Sequence, residues 1–81
     1  MARVVVRYFA AARAAAGVAE ETVDADTIRE CLSMIEGSRG PGLQRVLRVC
    51  SLLLDGVQAR DLDRRLSGTV ELDVLPPFAG G

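Results

Sequence analysis

The stretch DTIRECLSMIEGS, residues 26–38, decides how the rest of the chain must be arranged. Thr27 and Glu30 stand at capping-box spacing, where a hydroxyl and a carboxylate each satisfy an orphan backbone N–H at a helix start. Ile28, Cys31, Leu32 and Ile35 then recur at i, i+3, i+4 and i+7, a single apolar stripe along a helix. Gly37 reads as the stop. Cys31 belongs to that stripe and is expected in the core rather than in redox chemistry. A helix with one apolar stripe needs a sheet to bury it, so the flanking segments are read for strands.

Upstream, RVVVRYF (3–9) is rich in β-branched and aromatic residues. Val4, Val6 and Tyr8 share one face, and Arg3, Val5 and Arg7 the other. The alanine-rich run 10–16 has helical propensity but only two turns of length; we read a helical turn closed by Gly17 in a left-handed cap. VAEETVDA (18–25) is a second strand, polar on one face and at a sheet edge, forming a long-looped hairpin with the first. Downstream, GSRGPG (37–42) reads as a turn-rich connector and LQRVLRV (43–49) as a short helical piece or strand lead-in. The apolar run of VCSLLLDG (49–56) predicts a central third strand covered on both faces. Asp55-Gly56 signals a tight turn into a short strand at 57–59. RDLDRRL (60–66) is a polar connector anchored by Leu62 and Leu66. Thr69–Leu75 alternates again, with Val70, Leu72 and Val74 on one face, Glu71, Asp73 and Leu75 on the other, and Pro76 ending the ladder because it has no N–H.

The order is β-β-α-β-β-β, with the long crossover expected to set the third strand parallel to the first. That is an α+β protein of the β-grasp, or ubiquitin-like, class: a mixed sheet covered by one main helix. The expected core is Val4, Val6, Ile28, Leu32, Ile35, Leu52, Leu72 and Val74. The domain is read as residues 1–75, and 76–81 as an extended tail.

Composition narrows the function classes. Eighty-one residues, 49% of them apolar, make one domain with a modest core. A net charge of −1 with interleaved signs gives no reason to expect nucleic acid. Apolar runs are too short to cross a bilayer and the first residues lack a signal-peptide layout, so no membrane is expected and the cytoplasm is the default location. Histidine is absent, which removes the commonest general base and metal ligand. Cys31 and Cys50 have no C-x-x-C spacing, and both are expected to be reduced, buried, small hydrophobes. No metal site is expected, and the chain is poorly equipped to be an enzyme alone. All ten basic residues are arginine, so isopeptide conjugation of the chain to itself finds only its N-terminus.

The block RYFAAARAAAG (7–17), TIRECL (27–32) and the ending VLPPFAGG (74–81) together resemble the MoaD/ThiS ubiquitin-like sulfur carriers, and among them the small subunit of molybdopterin synthase. Two positions depart from the family pattern. Ala14 stands where Glu commonly follows Arg13, and Ser67-Gly68-Thr69 stands where a Gly-Asp pair commonly opens the last strand. The resemblance implies that an ATP-dependent, ubiquitin-activating-like adenylyltransferase adenylates the Gly81 carboxylate and that a persulfide donor then replaces AMP, leaving a thiocarboxylate. It implies no permanently bound cofactor. It also implies that Pro76, Pro77, Phe78, Ala79 and Gly80 enter a channel in a MoaE-like large subunit, with Val5, Arg7, Arg13 and Leu75 as the partner interface. The residues make physical sense of that role. Pro76 and Pro77 favour an extended exit, Phe78 is an apolar anchor, and two glycines lack the Cβ that would obstruct a narrow channel. Other readings stay open: a thiocarboxylate carrier for cysteine or sulfur-containing natural products, a ubiquitin-like protein modifier, or an interaction module with an inert tail.

Overall fold

A computed structural model describes residues 1–77; Phe78, Ala79, Gly80 and Gly81, the outer part of the expected tail, lie outside the described residues. Strand β1 (Ala2–Tyr8) buries Ala2, Val4, Val6 and Tyr8, the period-two pattern read from its sequence. After it come α1 (Ala10–Ala16), β2 (Glu20–Ala25), α2 (Ile28–Arg39), α3 (Pro41–Leu47), β3 (Ser51–Leu54), β4 (Val57–Gln58) and β5 (Thr69–Leu75). The strands form one sheet in the order β2-β1-β5-β3-β4, with β1 and β5 parallel and the other pairs antiparallel. This is the mixed β-grasp sheet expected, with α2 as its main cover.

One feature of the expected topology is corrected. The strand parallel to β1 is β5; β3 is antiparallel to β5 and therefore runs against β1. The reason is length. Twelve residues of α2 rise about 18 Å at about 1.5 Å each, which carries the chain from the foot of the sheet, where Ala25 pairs with Ala2, to its head. A strand starting at the head must descend. The segment 59–68 then returns the chain to the foot, fixed there by the Leu66 N–H donating to the Asp26 carbonyl (2.8 Å) and the Arg29 N–H to the Leu62 carbonyl (3.0 Å). Arg29 adds a forked pair with Asp63, at 2.7 and 3.3 Å. Nor is β3 central: it lies between β5 and the two-residue β4, and Leu52, Leu53 and Leu54 are each half-buried.

The start of α2 is as read. Thr27 Oγ1 accepts the Glu30 N–H at 3.1 Å, and Glu30 Oε1 accepts the Asp26 N–H, one residue earlier than the ideal capping box, at 3.4 Å. Its end is not at Gly37. The helix runs on to Arg39 and stops at Gly40, whose φ of 92° no side-chain-bearing residue adopts without strain. A lone glycine inside a helix costs about 1 kcal/mol and does not stop it. Pro41 then opens α3 in the first-turn position that suits proline. The stretch read as a connector is thus helix on both sides of Gly40, and Leu43 of α3 is fully buried.

The core comprises Val4, Val6, Ile28, Ile35, Leu72 and Val74 as expected, joined by Tyr8, Ala12, Cys31, Leu43, Leu66 and Val70 among others. Leu32 and Leu52 are only half-buried at its margin. Cys31 occupies the centre of the α2 stripe and turns Leu32 to the flank.

Candidate functional site

The heads of β1 and β5 lie side by side, and the tail departs there. Ladder pairing of β5 ends at Leu75, opposite Ser51, and the chain continues through Pro76 and Pro77. On the neighbouring strand the Phe9 N–H donates to the Val74 carbonyl at 3.2 Å. Ala10 then adopts a left-handed φ of 49°, strained for a residue with a Cβ, which turns the chain abruptly into α1. Phe9 is left 39% exposed. Its ring, Ala10, Ala11, Ser51, Leu75, Pro76 and Pro77 line an apolar groove at the tail's root.

Of the expected interface residues, Val5, Arg7 and Leu75 sit on the sheet face turned away from the helices, all half-buried. Arg7 is committed within the chain. Its guanidinium donates from Nε to Asp73 Oδ1 at 2.8 Å and from Nη2 to Asp73 Oδ2 at 3.2 Å, lies 3.7 Å from Glu71, and stands 6.0 Å over the Phe9 ring. The parallel register places Arg7 and Asp73 directly opposite. This neutralised fork leaves Val5, Leu53, Leu75 and Phe9 as the apolar content of the face. Arg13, exposed on α1, does not line the groove.

Beneath the same end lies a polar cluster that sequence reading missed. The Tyr8 hydroxyl donates to Glu21 Oε2 at 2.5 Å, and Arg39 grips the same carboxylate at 3.0 and 3.2 Å while reaching the Ala16 carbonyl at 3.4 Å. β1, β2, α1 and α2 are tied together at one point. The available signal was Glu21 itself, a charge at an inward position of β2 beside Val23 and Ala25, where only a partner makes burial tolerable. The partner, Arg39, lay beyond the expected helix end. Burial raises the Tyr8 hydroxyl well above its ordinary range, and its bond to Glu21 adds to this. For Glu21, burial opposes ionisation, but Arg39 and Tyr8 together outweigh it and the carboxyl sits below its usual value. A depressed carboxyl stabilises the fold above its unfolded pKa of about 4.3 and loses that contribution as pH falls through the lower folded value. Glu21→Gln should therefore lose about 1–3 kcal/mol at neutral pH. The gap from wild type should narrow on acidification below about pH 4, as read from urea midpoints across pH.

The cysteines divide. Cys31 is fully buried, and burial first, with Glu21 and Glu30 nearby, pushes its thiol up to about 12. Cys50, expected to be buried, is half-buried; its thiol donates to the Val46 carbonyl at 3.1 Å and is raised by burial. Among the described residues no group of three or more His, Cys, Asp or Glu could hold a metal ion, and no helix is long and apolar enough to cross a membrane.

Comparison with known proteins completes the picture. The model of the ThiS family matches residues 6–81. No curated protein sequence matches the chain. Among solved structures it is similar to small archaeal modifier protein 1 from Methanosarcina acetivorans, at 26% identity and TM-score 0.87 over 100% of this chain and 98% of that one. It is also similar to SAMP1 from Haloferax volcanii, at 27% identity and TM-score 0.83 over 98% and 99%. A complex of subunits 1 and 2 of molybdopterin-converting factor from Helicobacter pylori 26695 contains a chain of the same fold, at 24% identity and TM-score 0.76 over 98% and 99%. With the family match running from within β1 through Gly81, on the sheet order just described, the chain belongs to the ThiS family.

Proposed function

We propose that this chain is a sulfur carrier acting in molybdopterin synthesis as the small subunit of a two-subunit synthase. The observation that carries the reading is the head of β5. There a strand locked in the middle of the sheet passes into Pro76-Pro77 beside an apolar groove, and Gly80-Gly81 follow in sequence. In this reading an adenylyltransferase joins the Gly81 carboxylate to AMP, releasing pyrophosphate. A donor persulfide displaces AMP, and thiol reduction of the acyl disulfide leaves –COSH. The carrier itself needs no resident cofactor. It works in the cytoplasm, where thiols stay reduced. The H. pylori complex, in which a chain of this fold is paired with subunit 2, supports a MoaE-like partner, whose channel would take Pro76 to Gly80 with the reactive Gly81 at their end and whose side chains would supply the catalytic bases.

Intact-mass spectrometry after incubation with the activating enzyme, ATP and a sulfur donor tests the reading. The chain should become heavier by the difference between sulfur and oxygen, confined to the C-terminal peptide. An unchanged mass with its activating enzyme refutes it. The groove makes a separate prediction. Phe9→Ala should weaken binding to the large subunit about tenfold or more, roughly 1.4 kcal/mol, in a titration calorimeter. Because Phe9 is partly exposed, unfolding stability should change by less than about 1 kcal/mol.

A second reading is favoured by the similarity to two small archaeal modifier proteins at 26–27% identity. In it the same activated Gly81 acylates amines of other proteins. Labelled sulfur recovered in a pyranopterin supports the first reading; amide conjugates on target lysines support the second.

A further inference from the structure

Lysine is absent from all 81 residues, and every basic side chain is arginine. At three positions the structure uses what only arginine offers. Arg7, Arg29 and Arg39 each hold a carboxylate, on Asp73, Asp63 and Glu21, through two nitrogens, and a lysine ammonium lacks that fork. The primary amine that remains is the α-amine of Met1, 3.2 Å from Asp26 Oδ1. It stands at the wrong end of the sheet. Because β1 and β5 run parallel, Met1 lies at the foot and the tail leaves from the head. Seven strand residues span about 23 Å at about 3.3 Å each, while four residues beyond Pro77 reach about 14 Å at most.

Thiols are the other side chains that readily accept an acyl group. Cys31 is sealed in the core. Cys50 is the nearer hazard, since it precedes Ser51, the partner of Leu75 at the tail's root. Its S–H is engaged with the Val46 carbonyl, and a protonated, half-buried thiol is a poor nucleophile.

We propose that the chain offers no side-chain acceptor to its own kind: an acyl group activated at Gly81 finds no acceptor side chain on its own domain or on a second copy, and leaves to an external persulfide or to an amine of a different protein. This rests on the activation of Gly81 proposed above. The reaction withheld is attack of a lysine ε-amine on the acyl adenylate, which would form an amide, expel AMP and release a proton from the amine. Where the carrier modifies proteins, no branched chain grows from the mark, because a branch requires a lysine on the preceding unit.

The test uses the full chain with its activating enzyme, ATP and magnesium, with hydroxylamine as a small amine probe in one arm. A second chain carries Arg45→Lys, Arg48→Lys and Arg64→Lys, exposed positions that make no ion pair among the described residues. Both chains should form the C-terminal hydroxamate in equal yield, which shows that the variant folds, is recognised and releases an activated acyl group. Without hydroxylamine, the wild type should show no side-chain-linked dimer by denaturing electrophoresis and peptide mapping, whereas the lysine variant should give an amide-linked ladder. Side-chain-linked dimers of the wild type overturn the proposal, as does a lysine variant that forms none while its hydroxamate appears. If neither chain yields hydroxamate, Gly81 is not activated, and the functional reading fails together with the inference built on it.

Discussion

Removal of Gly81 is expected to abolish sulfur loading and transfer outright while leaving the unfolding midpoint unchanged. The deletion withdraws the reactive carbon by about 3.3–3.6 Å along an extended chain, and misplacement of even about 1 Å can cost a hundredfold in rate. The sheet prevents compensation. For the tail to advance by one residue, β5 would have to slip in register, turning Val70, Leu72 and Val74 out of the core and Glu71 and Asp73 into it. Adding a residue after Gly81, or replacing it with a bulky one, should be equally damaging with the fold intact. Intact mass after activation and a single-turnover transfer assay read the effect. Sulfur transfer by a chain lacking Gly80-Gly81 would refute the carrier reading.

Leu72→Ala is expected to be the most damaging of the simple core truncations. Leu72 is fully buried at the middle of β5, between Val6 on one side and Leu54 on the other. Truncation there should lose about 2–5 kcal/mol, a large share of the stability of a domain this small. Leu32→Ala, at the half-buried flank of α2, should lose about half as much, since fewer neighbours are left around a cavity. Urea denaturation at an unchanged m-value measures both. A loss below about 1 kcal/mol for Leu72 would mean that β5 presents its other face to the helices.

What could be read in the sequence was whatever local chemistry dictates. The Thr27–Glu30 cap, the left-handed Gly17, the Asp55-Gly56 turn and the alternation of β1 and β5 each follow from residues within a few positions of one another. The errors came where distant parts compete. Gly37 looked like a stop because nothing nearby shows that Gly40 and Pro41 make a better one. The run Leu52–Leu54 looked central because an apolar strand reads alike whether two layers cover it or one layer and a partial face do. The direction of β3 depended on how far α2 carries the chain. At the site, the Pro-Pro exit was legible, but the groove was not, because Phe9 and Leu75 come from opposite ends of the sequence. The fork of Arg7 to Asp73 was equally hidden, because it joins residues 66 positions apart.

The middle strand of the sheet is its last in sequence, and the first strand lies directly beside it. During synthesis on the ribosome, β1 emerges early and waits beside β2 with one edge unpaired until β5 arrives. Closure across nearly the full chain length is entropically slow, and until it happens the Val4–Val6–Tyr8 face has no complete sheet to join. A nascent chain cut short before β5 cannot form the native sheet and is left as a target for proteolysis. The topology thereby makes the last strand a condition of folding: on the proposed carrier reading, no folded chain lacking β5 would compete for an activating enzyme.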